Sequence, residues 1–389
     1  MRVDQFNPHI DKEDVFSVLE TLEDNWLTEG KKTAQLEQML CELTGARHAV
    51  MVPNGTLAIF AALKVLGIGP GDEVLVPDFT FFGSASAVIL AGATPVLVDV
   101  SLDDFTIDVD AADASIGPNT RAIMPVHIYG QSCDMQAVME LARRRDLMVV
   151  EGAAQGIGVT CGDKHVGTFG QIGCVSFFAD KTITTGEGGA LLTDDDELAK
   201  ECVYFKNQGR IERGSFIHEK VGYDFRITDI QAALGVAQFK RLPEIVIRKR
   251  EILGKYVVAL ADCTEVDFPD HNELGQVVPF RVNILVDDAE ALAEYLASCE
   301  IGVRRFFYPL HMQPCMTEDN SLVRIKPANS MELFHRGLSL PSGLSLTDRN
   351  ISYVSACIRD FLEGRDRAVG TEHTAELADR SAETHWTIP

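Results

Sequence analysis

Seven short, unbroken apolar runs constrain this chain more than any other feature. They are HAVMVP (48–53), EVLVP (73–77), TPVLVDV (94–100), RAIMPVHI (121–128), LMVVEGA (147–153), CVSFF (174–178) and GALLTD (189–194). Each has the length of a strand and is too short for a core helix. Because apolar residues fill successive positions, both faces of each strand must be buried. Between the first five lie stretches that read as helices, over 57–66, 84–93 and 134–146. Strands alternating with helices build a mostly parallel sheet covered on both sides. An α/β fold with a large mixed sheet of about seven strands is expected.

A helical stretch begins after Asp229 with DIQAALGVAQF and resumes beyond Pro243, which should break it. VPFRVNILV (278–286), the helix EALAEYLASCEI (290–301), GVRRFFY (302–308) and GLSLP (337–341) predict a smaller α+β unit. A last helix is expected over 345–364, capped by Ser345 or Thr347 and ended by Gly364. The expected division is a large α/β domain at 1–240, a smaller C-terminal α+β domain at 241–364 and a mobile polar tail at 365–389.

Charge and composition narrow the function. Lys+Arg 35 minus Asp+Glu 58 is −23, so the surface repels phosphate backbones and nucleic acid is not an expected partner. No apolar run reaches the ~20 residues of a bilayer span. The start, MRVDQFNPHIDKEDVF, lacks the basic and apolar regions of a secretory signal. A cytoplasmic protein is expected, with no membrane partner. The nine cysteines are scattered singly, which reads as free thiols. There is no HExxH and no compact His/Cys cluster, so no metal is expected.

Lys181 follows the apolar run CVSFF and precedes the Gly-rich loop TITTGEGG. Two readings are open: a lysine snorkelling at a strand end, or a partly desolvated amine of lowered pKa that condenses with a carbonyl. Asn54-Gly55-Thr56 separates a strand from a helix. It is either a turn with its cap, or a phosphate cradle of backbone N–H groups at a helix N-terminus. Phe79, Phe81 and Phe82 are core residues, or one of them covers a planar ring.

Taken in order, NGTLAIFAAL (54–63), GIGPGDEVLVPDFTFFGSASAVILAGATPVLVDV (67–100), PVHIYGQSCDM (125–135), VVEGAAQGIGV (149–159), SFFADKTITTGEGGALLTDD (176–195), VGYDFRITDIQAALGVAQF (221–239) and FFYPLHMQP (306–314) resemble the DegT/DnrJ/EryC1/StrS aminotransferases. The resemblance covers about residues 10 to 362. It implies fold type I, pyridoxal 5'-phosphate as cofactor, a homodimer with shared active sites, and amino transfer from a donor such as L-glutamate to a keto sugar on a nucleotide carrier. It makes Lys181 the Schiff-base lysine and base. Ser176, Gly55 and Thr56 then hold the phosphate, Phe81 covers the ring, and Gln155 lies beside it. Tyr308, His311 and Gln313 fall in a segment that lines the substrate site, with His127 and Tyr129 behind it. Glu187 shapes its loop or meets a sugar hydroxyl.

Two positions depart from the family pattern. The family reads Glu-Asp-Ala-Ala where this chain has Glu151-Gly152-Ala153-Ala154, so the carboxylate that pairs with the pyridine nitrogen is missing. Glu151 is the nearest acid, but neighbouring strand residues face opposite ways. Asp224 stands where the family often has an asparagine that reaches the phosphate across the dimer, and Arg226 can offset its charge. Two rivals follow: a degenerate pyridoxal-phosphate-binding homologue, supported by Gly152, and a sugar dehydratase. In dehydratase relatives histidine replaces the lysine, and Lys181 is present.

Overall fold

The computed structural model describes residues 1–210, 216–269, 274–316, 322, 324 and 326–369, with side chains to Gly364. The strands are β1 (His48–Val52), β2 (Glu73–Pro77), β3 (Thr94–Val98), β4 (Thr120–Ile123), β5 (Met148–Gly152), β6 (Thr160–Cys161), β7 (Lys164–His165), β8 (Ile172–Ser176), β9 (Gly189–Thr193), β10 (Val282–Leu285), β11 (Arg304–Arg305) and β12 (Gly337–Leu340). The helices that matter below are α1 (Lys12–Glu23), α2 (Lys31–Thr44), α3 (Gly55–Val65), α4 (Gly83–Ala91), α5 (Val109–Ala114), α6 (Met135–Arg145), α7 (Asp196–Lys206), α8 (Asp229–Lys240) and α9 (Leu242–Ala259). They are followed by α10 (Ala289–Ser298), α11 (Asn329–Arg336) and α12 (Asp348–Val369).

Seven strands form one sheet in the order β1-β9-β8-β5-β4-β2-β3. Only β9 runs against its neighbours β1 and β8; the pairs β8–β5, β5–β4, β4–β2 and β2–β3 are all parallel. The sheet is the mixed, mostly parallel one expected from the apolar runs. Alternation places successive side chains on opposite faces. Val74 and Val76 pack with Phe60 and Leu63 of α3 and Val88 of α4, whereas Leu75 packs with Val138 and Leu141 of α6. Towards the other edge, Met51, Val175 and Leu192 meet Leu36 and Leu40 of α2 and Val236 of α8.

Some boundaries differ from expectation. The run 121–128 pairs as a strand only to Ile123, because Pro125 has no N–H for a ladder bond. Val126 then bridges Gly152, and His127 N donates to Gly152 O at 3.0 Å. Pro243 acts as expected: α8 stops at Lys240 and α9 restarts with the proline in its first turn. Thr347 caps the last helix, its hydroxyl accepting from Asn350 N at 3.2 Å. That helix does not end at Gly364, which avoids the left-handed conformation, and its backbone continues to Val369. The rest of the expected tail, 370–389, lies outside the described residues.

A second sheet, β10-β12-β11, packs with α10, α12 and the end of α9. Helix α9 joins the two cores. Leu242 and Ile245 pack in the large one, Ile252 and Tyr256 in the small one. Val3, at the opposite end of the chain, bridges Ile301 and belongs to the small core. Among the described residues no helix is long and apolar enough to cross a membrane.

Candidate active site

Parallel strands deliver their carboxyl ends to one edge of a sheet, and loops there converge on a crevice. In this chain β1 leads into Asn54-Gly55-Thr56, β2 into Thr80 and Phe81, β5 ends at Gly152 and β8 at Ser176. All of these border a cavity of about 610 Å³. Phe280, Arg281, Arg304 and Phe307, from the smaller sheet and its flanks, close the far side.

Asn54 caps α3, its Oδ1 accepting from Leu57 N at 2.9 Å. Ahead of that bond, Gly55 N and Thr56 N belong to the first helical turn, whose donors have no partner within the helix. Ser176 presses against this turn, and a Cβ at Gly55 would stand 2.9 Å from Ser176 Cβ. The close approach therefore requires glycine. Backbone N–H groups at a helix N-terminus, with the Thr56 and Ser176 hydroxyls lining the same cavity, could hold a phosphate.

Lys181 lines the cavity, its side chain 15% exposed. Its Nζ is 3.6 Å from Asp180 Oδ1 and 4.7 Å from the centre of the Phe280 ring. Burial lowers its pKa; Asp180 opposes the shift, while Arg281 and Arg304 reinforce it. A larger fraction of the amine is thereby unprotonated near neutral pH and able to act as nucleophile or base. Asp180 also holds Arg281, through Oδ2 at 2.7 Å, and lies 3.8 Å from Arg304.

Gln155 borders the cavity, and Tyr129 N donates to its Oε1 at 2.5 Å. That bond identifies the oxygen end, so the amide nitrogen remains available as a donor. Tyr129 has φ 54° and is buried, its ring stacked on Phe307 at 5.6 Å. Of the three phenylalanines after β2, Phe79 is buried in the core and Phe82 packs beside it. Phe81 alone lines the cavity, 61% exposed at its mouth.

The structure removes Glu151 as a substitute for the missing carboxylate. Glu151 is fully buried and is absent from the cavity wall. Its oxygens accept from Gly167 N (2.7 Å), Phe169 N (2.6 Å), Gly170 N (2.7 Å) and His127 Nε2 (3.1 Å). His127 Nδ1 accepts from Cys133 N at 3.1 Å, which places the imidazole proton on Nε2. His127 thus braces the sheet rather than the substrate side. A Cβ on Gly152 would meet Val126 Cγ2 at 2.9 Å, so Val126 fills space that an acidic side chain there would need.

Four other expected residues, Asp224, Tyr308, His311 and Gln313, lie outside the cavity wall of the single chain. Arg226 clamps Asp224 with two bonds of 2.8 Å, which neutralises the carboxylate as anticipated, on an exposed segment. His311 is tied to the buried Asp78, through Nδ1 at 2.7 Å and its backbone N at 2.8 Å. Tyr308 packs edge-on against Phe334 at 5.0 Å, and Gln313 donates to its carbonyl. Their segment is carried past the site because Asp78, at the end of β2, anchors it through His311 and Leu310 N. Glu187 does line the cavity, while its carbonyl accepts from Thr185 and Gln231. The sequence reading missed Asp180, Phe280, Arg281, Arg304 and Phe307. A signal existed for Arg281, the lone cation within an apolar run, and for Asp180, adjacent to the candidate lysine.

The aminotransferase family model described as DegT/DnrJ/EryC1/StrS matches residues 8–359. GDP-perosamine synthase of Escherichia coli O157:H7 is 36% identical over 362 residues, 92% of this chain and 97% of the relative. The spore coat polysaccharide biosynthesis protein SpsC of Bacillus subtilis is also 36% identical, with the same shares covered. Among solved structures, DesV of S. venezuelae has a TM-score of 0.84 at 30% identity, covering 90% of this chain and 94% of that one. Spr1654 of Streptococcus pneumoniae, solved in a PLP form, has a TM-score of 0.89 at 26% identity, covering 94% and 99%.

Proposed function

Because the chain belongs to the DegT/DnrJ/EryC1/StrS aminotransferase family, we propose that it is a pyridoxal 5'-phosphate-dependent aminotransferase. In this reading it moves an amino group from L-glutamate to a keto group of a nucleotide-linked deoxysugar. The observation that carries the reading is the pairing of a desolvated Lys181 with a phosphate cradle in one cavity. The relatives named GDP-perosamine synthase support the sugar substrate.

The residues present fit the cofactor. Gly55, Thr56 and Ser176 supply donors for its phosphate, Phe81 an aromatic cover for its ring, Gln155 an amide donor beside it, and Lys181 the amine for its aldehyde. When bound, the cofactor supplies an electron-withdrawing ring that takes up charge as a substrate carbon loses its proton. Lys181 Nζ is the group that removes and returns that proton, and its lowered pKa suits the task. The walls of Phe280, Phe307 and Val126 keep water from the reacting atoms.

We assign the chain a homodimer in the cytoplasm, with a large domain within residues 1–240 and a smaller one from 241 through the last helix to Val369, which Val3 joins from the start of the chain. Exposed apolar side chains at Val15, Phe16, Leu19 and Leu22 of α1, with Trp26 and Leu27 beyond it, support self-association. Asp224 sits outside the single-chain cavity, and in this reading it serves the site of a neighbouring subunit. Tyr308 and His311 remain proposed substrate-side residues, since their segment continues directly from Phe307 of the cavity wall.

The test is the absorbance spectrum of cofactor-loaded protein before and after L-glutamate. Replacement of the pyridoxal band by the pyridoxamine band is expected. A pyridoxal band unmoved by a panel of amino acids counts against the reading.

One observation favours a second reading, a pyridoxal-phosphate-binding protein without transamination. Asp180 and Glu187 are the only acids among the described cavity residues, and Asp180 is already engaged by Arg281. If that loss limits the reaction, Gly152→Asp combined with Val126→Ala speeds the glutamate half-reaction by ~10-fold or more, about 1.4 kcal/mol of barrier. Gly152→Asp alone gains less, because its Cβ meets Val126 at 2.9 Å. Equal rates in the wild type and the double variant, both loaded, would show that the ring needs no acid at this position.

A further inference from the structure

Three basic groups of the cavity wall crowd around one carboxylate. Lys181, Arg281 and Arg304 share a single carboxylate, Asp180, at 3.6, 2.7 and 3.8 Å. This concentration of cations sits in a chain of net charge −23. Arg281 is the unusual member. Its side chain is only 6% exposed, its guanidinium lies over the Phe280 ring at 4.9 Å, and it borders the cavity. Asp180 takes one arm, through Nη2, whereas Nη1 is buried with no hydrogen-bond partner. A buried guanidinium nitrogen without an acceptor is costly, and a ligand oxygen removes that cost.

Three anions come to such a site under the aminotransferase reading, on which this inference rests. The cofactor phosphate has its own cradle at the start of α3. The diphosphate of a nucleotide sugar is separated from the reacting carbon by ring atoms. The carboxylate of an amino-acid donor is bonded directly to the carbon that carries the reacting amine. Arg281 and the reactive Lys181 flank the same carboxylate, so Arg281 is at the reach of that last group. We propose that Arg281, held by Asp180 and supported by Arg304, binds the α-carboxylate of the amino-acid donor. Asp180 then has two tasks. It fixes the guanidinium plane, and it keeps one fork of the arginine occupied so that the other faces the ligand.

The test uses cofactor-loaded wild type, Arg281→Met, Arg281→Lys and Arg304→Met. L-Glutamate conversion is followed by absorbance, and binding of glutarate, GDP and UDP by calorimetry. Arg281→Met should raise the half-saturating L-glutamate concentration and the glutarate Kd about 30-fold, roughly 2 kcal/mol. GDP and UDP affinities should not change, and borohydride should still fix the cofactor on Lys181. Arg281→Lys recovers part of the loss, since it keeps the charge without the fork. Arg304→Met produces a smaller rise, because its side chain is 61% exposed. Unchanged glutarate and L-glutamate titrations in Arg281→Met overturn the inference, as does a loss of GDP or UDP affinity in their place. Should Arg281→Met not fold, unchanged titrations in both Arg281→Lys and Arg304→Met overturn it equally. A wild type that holds cofactor but converts no amino acid counts against the aminotransferase reading, and the glutarate titration still decides this inference.

Discussion

Lys181→Ala is expected to yield a folded protein on which borohydride no longer fixes pyridoxal phosphate, with turnover reduced ~10³-fold or more. Folding should survive because the lysine is a cost to the fold rather than a support. Burial lowers its pKa below the ordinary lysine value. The folded state therefore loses stability at neutral pH, where the unfolded chain is fully protonated, and the loss fades only as pH rises towards 10.5. Asp180 keeps its partner in Arg281 after the change. Peptide mapping of reduced protein supplies the discriminating result, because a second desolvated lysine lies close by. Lys249 Nζ donates to Phe280 O at 3.2 Å and lies 5.9 Å from the same ring that Lys181 touches, and burial pushes its pKa down to about 8. Cofactor fixed on Lys249 in the wild type would remove Lys181 from its assigned role. Cofactor fixed on Lys181 alone would confirm that access to the cavity, and not amine basicity, selects between the two.

Glu151→Ala is expected to lose about 3–5 kcal/mol of stability, measured by urea unfolding at pH 7. Four donors converge on this carboxylate, three of them backbone N–H groups of residues 167–170. Removing it leaves buried donors unpaired beside β5, the strand that ends at Gly152 in the cavity wall. The pH dependence has a definite sign. Burial alone would raise the Glu151 pKa, but the hydrogen bond from His127 and those from the N–H groups of Gly170 and Gly167 outweigh it, and the pKa falls below 4.5. Its stabilisation is then complete above pH 4.5 and is lost as pH falls through the lower folded value. The wild type should thus lose stability in that acid window through this group, and Glu151→Ala should lack that component. A variant within ~1 kcal/mol of wild type at pH 7 would show that the loop at 167–170 finds other acceptors.

Both predictions concern residues whose identity was visible in the sequence and whose roles were not equally so. Lys181 stood out because a lysine beside an apolar strand end and a Gly-rich loop is either snorkelling or reactive, and the resemblance pointed to the second. Glu151 did not, because alternation says which face a strand residue takes but not what waits there. The contact that occupies it comes from a loop 16 to 19 residues further on. Asp224 behaved as its local sequence suggested, paired with Arg226 two residues away. His311 did not, since its partner Asp78 is 233 residues distant.

What the sequence by itself determined is the α/β architecture, the strand–loop–helix order around 54–56 and the placing of Lys181 between an apolar strand and a Gly-rich loop. Each depends on period, turn chemistry or residue type within a short window, and those preferences act locally. Only the tertiary structure decided which residues complete the cavity. Arg281, Arg304 and Phe280 come from the second sheet and its flanks, more than 90 residues beyond Lys181. Their place depends on how α9 and the aromatic cluster dock that sheet over the first. Docking is set by the burial of both cores together, and no short stretch of sequence encodes it.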